Sequence, residues 1–298
     1  MSDPRATALA SGIVLATGVF WGLYWLPVRG LDRIGLNGAW GTAAITLAAA
    51  ILLAPVALRG GRRVAGDRIA IASIAAGGAA FALYSIGFVY GRVAMIILLW
   101  FLSPVWSTLI GRWIMGWPTP RLRLVAIVVG LAGLVVMLGA DGAVPLPREL
   151  GEWMTLVGGL LWSISTTGIR VRAELDPPQA AFVFACGAAV TALLLSPLLE
   201  PPPIVADGDL AVAVGLALVT GGLWWGVSLS ALMWATARLD PARVAILLMT
   251  EVLVGAVSAA VVAAETLRPL EIVGGALVLL AGALEVWPIR PAPKRPRD

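Results

Sequence analysis

Ten stretches of about twenty mostly apolar residues dominate this chain, and each is long enough to cross a bilayer as a helix. The first five are predicted at Thr7–Val28, Asn37–Leu58, Ile69–Val89, Val93–Met115 and Arg121–Leu138. The second five are predicted at Glu152–Ile169, Pro178–Leu199, Leu210–Thr236, Ala242–Ala264 and Leu270–Trp287. Because lipid offers the backbone no hydrogen bonds and the period-2 alternation of a barrel is missing, the pattern predicts an all-α membrane protein.

The composition supports a membrane protein and excludes several kinds of site. Of the 298 residues, 60% are hydrophobic and 13% are charged, against about 45–50% and 25% in a soluble domain. The absence of histidine excludes an imidazole proton relay and a histidine–zinc site. Cys186 is the only cysteine and Lys294 the only lysine, which excludes an intramolecular disulfide and a buried Schiff-base lysine. We therefore expect no metal and no cofactor.

The distribution of basic residues predicts how the spans are oriented. Ten spans place both termini on one side of the membrane. If that side is the cytoplasm, only five of the 21 basic residues lie on the other side, namely Arg29, Arg33, Arg92, Arg148 and Arg268. Basic residues concentrate in cytoplasmic loops, so topology explains the net charge of +4 better than nucleic acid does. We expect a multi-pass membrane protein, in contact with lipid, with both termini in the cytoplasm.

The two halves of the chain resemble each other at three points, which follow in the same order. The paired segments are Trp21-Gly22 with Trp162-Ser163, Leu99–Pro104 with Leu247–Val252, and Leu131–Gly133 with Leu280–Gly282. A repeat with an odd number of spans must insert upside down in its second copy, and inverted repeats are typical of transporters. The alternative is chance recurrence of tryptophan and glycine in an apolar chain.

This self-similarity predicts the organisation of the chain. We expect ten transmembrane helices as two inverted five-helix repeats around a central cavity. The first repeat is placed at residues 1–141 and the second at residues 142–290, followed by a disordered cytoplasmic tail at 291–298. In such folds the substrate binds near the midplane, at the interface between the repeats.

Residues in six of the spans also carry a family resemblance. They are Phe20-Trp21-Gly22, Leu161-Trp162-Ser163, Leu102-Ser103-Pro104-Val105, Met249-Thr250-Glu251-Val252, Gly130 with Gly133, and Gly274-Gly275 with Gly282. Together they resemble the drug/metabolite transporter superfamily, in its ten-helix EamA-type branch. That family often has Glu-Pro in the fourth and ninth spans, and here each half keeps one member of the pair. The resemblance implies a metabolite exporter of the inner membrane, and the aromatic-rich spans are similar to the aromatic amino-acid exporter subgroup called YddG.

Glu251 is the only acidic residue well inside a predicted span. A charge in the bilayer centre is costly, so such residues usually face a cavity or a partner. Glu251 is therefore the candidate for binding a substrate ammonium group or for coupling transport to protons. The alternative is a protonated carboxyl group that forms a hydrogen bond between two helices.

Pro104 predicts a helix kink in the fourth span, because a proline there frees the carbonyl group of Trp100. Helical spacing places Trp100, Ser103 and Ser107 on one face. This favours a kinked cavity wall that binds a ligand. The alternative is a purely structural kink, with the serines bonded to their own helix.

Aromatic and hydroxyl side chains deep in the spans outline a mostly apolar pocket with a few polar groups, which is the usual form of a small-molecule site. For any one of them, packing between helices is the alternative. With Glu251, the predicted substrate-binding residues are Trp21, Trp25, Tyr84, Trp100, Ser103, Trp162, Ser163, Thr166, Trp224 and Ser228.

These features predict a secondary transporter that exports small metabolites by alternating access, and amino acids with large or aromatic side chains are the expected substrates. No P-loop for ATP is present, so a substrate or proton gradient would drive export. Export of drugs or other metabolites and a facilitative, channel-like uniporter remain alternatives. An intramembrane enzyme is disfavoured, because the spans contain no histidine and no pair of carboxylates. We expect a monomer, with a homodimer as the alternative.

Overall fold

A computed structural model of the protein describes residues 4–59, 68–116, 120–142, 144–172, 177–206, 208–236, 238–239, 244 and 247–286. Within these residues the regular structure is entirely helical. The predicted start of the ninth span at Ala242, the predicted end of the tenth span at Trp287 and the predicted tail at 291–298 lie outside the described residues.

The helices follow one another in the order of the predicted spans. In the first half they are α1 (Pro4–Gly22), α2 (Trp25–Arg33), α3 (Ala39–Ala57), α4 (Arg68–Gly87), α5 (Val93–Trp100), α6 (Ser103–Trp113) and α7 (Arg121–Leu138). In the second half they are α8 (Leu150–Arg172), α9 (Pro177–Leu199), α10 (Leu210–Thr220), a π-helical segment (Gly221–Ser228), α11 (Leu229–Thr236), α12 (Thr250–Val262) and α13 (Pro269–Val286). The prediction of an all-α membrane fold is confirmed.

Seven stretches of the described chain are long and apolar enough to cross a membrane. They are Arg5–Arg33, Ala39–Ala57, Arg68–Gly87, Val93–Trp113, Arg121–Leu138, Pro178–Leu199 and Leu210–Leu232. Two further apolar helices, Thr250–Val262 and Pro269–Leu284, are shorter. Helix α8 has 23 residues but carries many polar ones, and Thr155, Ser163 and Ser165 among them are fully buried inside the bundle.

The first and fourth spans are each divided into two helices near the middle. Between α1 and α2, Leu23 and Tyr24 form a turn in which their N–H groups bond to residues three positions earlier. The prediction of one continuous helix from Thr7 to Val28 is therefore wrong at this point. Helix α5 ends at Trp100 and α6 begins at Ser103, with Pro104 in the first turn of α6. A proline suits that position, because the N–H group it lacks would have no helical acceptor there.

The ninth span is interrupted as well, although no proline marks the place. Helix α12 begins at Thr250, whereas the sequence predicts one helix from Ala242 to Ala264. The hydroxyl of Thr250 donates to the carbonyl oxygen of Leu247 at 2.8 Å. Such bonds between side chain and backbone compete with regular helical geometry.

Helices of the first half pack mainly against helices of the second. Helix α4 packs along α8 and α9, α3 along α9, α1 along α11 and α12, and α7 along α13. In the predicted repeat, each span corresponds to the span five places away in the chain. The contact between the third and sixth spans then corresponds to the contact between the eighth and first spans. The second–seventh contact and the fifth–tenth contact each correspond to themselves. The division of the chain at residue 141 stays a prediction.

Glycines allow the closest of these approaches. A Cβ atom on Gly133 of α7 would lie 2.7 Å from the carbonyl oxygen of Gly274, and one on Gly274 would lie 2.6 Å from that of Gly133. A Cβ atom on Gly22 of α1 would lie 2.7 Å from the carbonyl oxygen of Glu251 in α12. Small residues at such positions let helix backbones touch inside a membrane.

The two ends of the bundle differ in how tightly they are packed. All eight residues of α5 are buried, but only four of the eleven residues of α6 are. The end at which α5 begins also carries Arg29, Arg92, Glu265 and Glu271, and it is named the ionic end below. In the predicted topology the ionic end faces away from the cytoplasm.

Candidate functional site

A cavity of about 360 Å³ lies near the middle of the bundle, and its wall takes residues from both halves of the chain. The lining residues are Thr17, Trp21, Phe81, Trp100, Phe101, Ser103, Pro104, Trp162, Leu229, Leu232, Leu248, Met249, Glu251 and Gly282. Pockets for small molecules measure about 300–1,000 Å³ and are lined mostly by apolar and aromatic side chains. The size and the lining therefore suit one small molecule.

Among the described residues that line this cavity, Glu251 is the only ionisable one. The hydroxyl of Tyr84 on α4 donates a hydrogen bond to Glu251 Oε1 at 3.1 Å. Tyr84 is fully buried, and its ring stacks on that of Trp100 with the centroids 4.6 Å apart. The described part of the wall contains no lysine or arginine, so a cationic group on an occupant would be the natural partner of the carboxylate.

In the predicted alignment of the two halves, Ser103 and Glu251 occupy equivalent positions. In the aligned segments Leu99–Pro104 and Leu247–Val252, the fourth span breaks at Phe101 and the ninth span breaks at Met249. Phe101 and Met249 both line the cavity, as do Ser103 and Glu251. Helices α6 and α12 thus both begin at the cavity. Binding sites of transporters are typically formed by such discontinuous helices.

Phe81 of α4 lies at the centre of the aromatic wall. Its ring centroid is between 4.8 and 6.4 Å from those of six neighbours, which are Trp21, Tyr84, Trp100, Trp162, Phe184 and Trp225. Most of these pairs are edge-to-face, an arrangement that aromatic quadrupoles prefer. The wall is therefore pre-formed by contacts between rings, without an occupant.

The indole N–H groups of the wall differ in whether the protein satisfies them. Trp21 Nε1 donates to the hydroxyl of Ser228 at 2.9 Å, which places Ser228 directly behind the wall. In the part of the chain that the structure describes, the indole N–H groups of Trp100 and Trp162 have no acceptor. An occupant with a hydrogen-bond acceptor can supply one.

Six of the predicted binding residues do not line the cavity. Tyr84 and Ser228 contact the lining residues Glu251 and Trp21 from behind, and the polar groups of the other four are bonded within the protein. Trp25 donates to the hydroxyl of Ser258 at 3.0 Å, and Trp224 donates to the carbonyl oxygen of Phe20 at 2.9 Å. Ser163 donates to the carbonyl oxygens of Ser103 and Gly159, and Thr166 to those of Trp162 and Ser163. Their contacts are structural.

Several lining residues were not predicted from the sequence. They are Thr17, Phe81, Phe101, Leu229, Leu232, Leu248, Met249 and Gly282. Most are apolar and lie in apolar spans, so nothing in the sequence distinguishes them from core residues. Met249 is the exception, because its alignment with Phe101 just before Ser103-Pro104 could have pointed to it.

No three acidic or cysteine side chains among the described residues come together as metal ligands would. What the site offers an occupant is one carboxylate, hydroxyl and indole donors, and aromatic faces. These are groups for binding a ligand.

Comparison with known proteins agrees with this architecture. A solved crystal structure that is 17% identical matches with a TM-score of 0.60, over 92% of this chain and 97% of its own, and therefore shares the fold. No curated protein matches the chain. Residues 149–286 match the model of the EamA-like transporter family. Over its second half, the chain is thus similar to this family of transporters.

Proposed function

We propose that this protein is a secondary transporter that exports small metabolites, namely amino acids with large or aromatic side chains, by alternating access. The observation that carries the proposal is the cavity in the middle of the bundle, which has aromatic walls and the single carboxylate of Glu251. The similarity to the EamA-like transporter family supports transport as the activity. The aromatic wall supports membership of a YddG-like subgroup.

The polar groups of the cavity match the two charged ends of an amino acid. Glu251 can bind the ammonium group, since no basic residue among the described lining residues competes for the carboxylate. The unpartnered indole N–H groups of Trp100 and Trp162 can donate to the substrate carboxylate. The rings of Phe81 and Trp21 then offer edges and faces to a large apolar side chain.

The shape of the bundle supports an alternating-access mechanism. The cavity extends from the Trp100 level towards Leu232 and Leu248, which lie on the side away from the ionic end. In the predicted topology that side faces the cytoplasm, so the structure corresponds to a state that loads substrate from inside. Export then requires the ionic end to open while the other end closes.

The proposed setting is the inner membrane of a bacterium, with both termini in the cytoplasm, because this orientation leaves the fewest basic residues outside. The helices of the two halves cover each other extensively, which favours a monomer in contact with lipid. Cross-linking of the protein in native membranes distinguishes a monomer from a homodimer.

Uptake into proteoliposomes that contain the purified protein tests the proposal. We expect saturable uptake of labelled phenylalanine, tryptophan and leucine, and competition by the same amino acids unlabelled. Aspartate serves as the control, because its side-chain carboxylate would be buried against the aromatic wall without a partner. Flux that rises linearly with concentration would indicate a channel-like uniporter, and absence of flux for every amino acid would contradict the substrate class.

A second candidate function, the export of drugs or other amines, is favoured by one observation. The wall, as far as the structure describes it, contains an acid and no base, so a lipophilic amine without a carboxylate also fits its charge. Competition between tryptophan and tryptamine distinguishes the two candidates, because an amine exporter binds tryptamine more tightly.

The same vesicles test Glu251 as the site of proton coupling. An imposed pH gradient changes the uptake rate if protons are coupled to transport. If the rate does not depend on the gradient, Glu251 acts in substrate binding alone.

A further inference from the structure

Two carboxylates hold the start of α5 at the ionic end. Glu265, in the loop between α12 and α13, accepts hydrogen bonds from the backbone N–H groups of Val93 at 2.9 Å and Ala94 at 3.3 Å. The first N–H groups of a helix have no acceptor within the helix itself. Glu271 Oε1 lies 2.6 Å from Nη1 of Arg92, the residue before α5. The loop between α12 and α13 and the start of α13 thus bind the beginning of α5.

Arg29 of α2 joins this contact from the first span. Its Nη2 atom lies 3.2 Å from Glu265 Oε1, and the two side chains are only 22% and 11% exposed. The guanidinium also donates to the carbonyl oxygens of Phe88 and Gly91, both at 2.8 Å. Removal of one member of a buried pair leaves the other charge uncompensated. The carboxylate of Glu265 therefore connects its own loop to the start of α5 and to Arg29 of α2.

Both helices that meet at Glu265 have their other end at the cavity. Helix α12 has 13 residues, with Glu251 in its first turn and Glu265 three residues after its end, which spans about 20 Å at 1.5 Å per residue. Helix α5 runs from the amides that Glu265 binds to Trp100 in the cavity wall. A shift of α5 relative to α12 at the cavity therefore acts directly on the contacts of Glu265.

The backbone at the end of α12 fixes where Glu265 lies. Ala264 has a φ of 53°, the left-handed conformation that often follows a helix end and that a residue with a Cβ atom adopts only at a cost. The N–H group of Glu265 donates to the carbonyl oxygen of Ala259 at 3.1 Å. The position of Glu265 is therefore tied to the end of α12.

We propose that Glu265 is the residue on which closure of the ionic end depends, and that ligand binding at the cavity opens this end by separating Glu265 from α5 and Arg29. The proposal rests on the transport function proposed above, because it assigns to Glu265 the step that exposes the cavity to the opposite side. It predicts that the charge of Glu265 controls the conformation of the protein even without substrate.

Distances between spin labels in lipid nanodiscs test this proposal. The labels are attached at the exposed positions Arg33→Cys and Leu270→Cys, with Cys186→Ala removing the only natural cysteine. In Glu265→Gln we expect the ratio of long to short distances to rise by about tenfold or more, as loss of one partner of a buried pair implies. Glu149→Gln, the same change at an exposed acid of this end, should leave the ratio unchanged.

A second variant keeps the test independent of one substitution. Arg29→Met breaks the same pair from its other side and should shift the distances in the same direction. Unchanged distances in both variants overturn the proposal. A shift in both, in a protein that transports no amino acid, supports the role of Glu265 and contradicts the proposed substrates. Saturable amino-acid transport with unchanged distances contradicts the role of Glu265 alone.

Discussion

Tyr84 donates a hydrogen bond to Glu251 from the opposite half of the chain, with 3.1 Å between the two oxygens. Tyr84 lies in the third span, and its ring stacks on Trp100 of the fourth. Glu251 lies in the first turn of the interrupted ninth span. A ligand that binds this carboxylate therefore contacts the point at which three spans meet.

Glu251→Gln tests the role of the charge. The variant keeps an oxygen that accepts the Tyr84 hydrogen bond but loses the negative charge. A hydrogen bond to a charged group contributes about 1.5–3 kcal/mol, so we expect the KM for phenylalanine to rise about tenfold or more. Initial uptake rates at a series of concentrations measure this.

Tyr84→Phe is the matched control for that change, because it removes the hydroxyl and leaves the charge. We expect a smaller rise of KM than in Glu251→Gln. An equal rise in both variants would mean that the hydrogen bond, and not the charge, is what matters, and would assign Glu251 a structural role.

Trp162→Leu tests the aromatic wall. Trp162 lines the cavity, whereas Trp224 stacks on Phe20 outside it, with ring centroids 3.8 Å apart. An aromatic pair contributes about 0.5–1.5 kcal/mol beyond the area it buries, so the KM for phenylalanine should rise about two- to tenfold, and that for leucine less. Trp224→Leu should leave the ratio of the two KM values unchanged. If Trp162→Leu and Trp224→Leu change the ratio of the two KM values equally, the substrate does not bind at the aromatic wall that contains Trp162.

Ser228→Ala removes the acceptor of the buried Trp21 indole N–H. A buried donor left without a partner costs about 1–3 kcal/mol, so we expect the free energy of unfolding in mixed micelles to fall by that amount. Ser230→Ala is the control, since Ser230 is exposed and bonds only to the carbonyl oxygen of Gly226 in its own helix. A loss of stability in Ser230→Ala as large as that in Ser228→Ala would argue against the Trp21–Ser228 bond.

Gly133→Ala tests the contact between α7 and α13. Its Cβ atom would lie 2.7 Å from the carbonyl oxygen of Gly274 and 3.0 Å from the amide nitrogen of Val278, so the helices must separate. We expect a lower Tm in detergent. Gly215→Ala adds the same methyl group in α10, where nothing lies within 4 Å, and should raise the Tm because alanine favours a helix by about 1 kcal/mol. A Tm for Gly133→Ala at or above that of the wild type would show that the contact is loose.

The helical elements were predictable because the length and composition of each apolar stretch are enough to identify a helix in lipid. Lipid dictates helices of a certain length, and ten such stretches appear in the sequence whatever their mutual packing. The interruption before Ser103 was also predictable in part, since Pro104 marks it. The break at Met249 was not, because no helix-breaking residue marks it.

The site was predictable where a residue is unusual for its surroundings. Glu251 is conspicuous in an apolar span, and it does line the cavity. Phe81 is not conspicuous, and only the tertiary contacts reveal it as the centre of the wall. Thr166 was predicted to bind substrate, but its hydroxyl donates to the carbonyl oxygen of Trp162 in its own helix. A hydroxyl in a span need not face a ligand.

The π-helical segment from Gly221 to Ser228 fixes the rotation of the helix that follows it. Its hydrogen bonds close wider turns than those of an α-helix, and Leu229 and Leu232 of the cavity wall come directly after it. Replacing these wider turns by α-helical ones would rotate α11 about its axis and turn Leu229 and Leu232 from their present positions in the cavity wall. The geometry of this segment is therefore itself a determinant of which side chains α11 presents to a ligand.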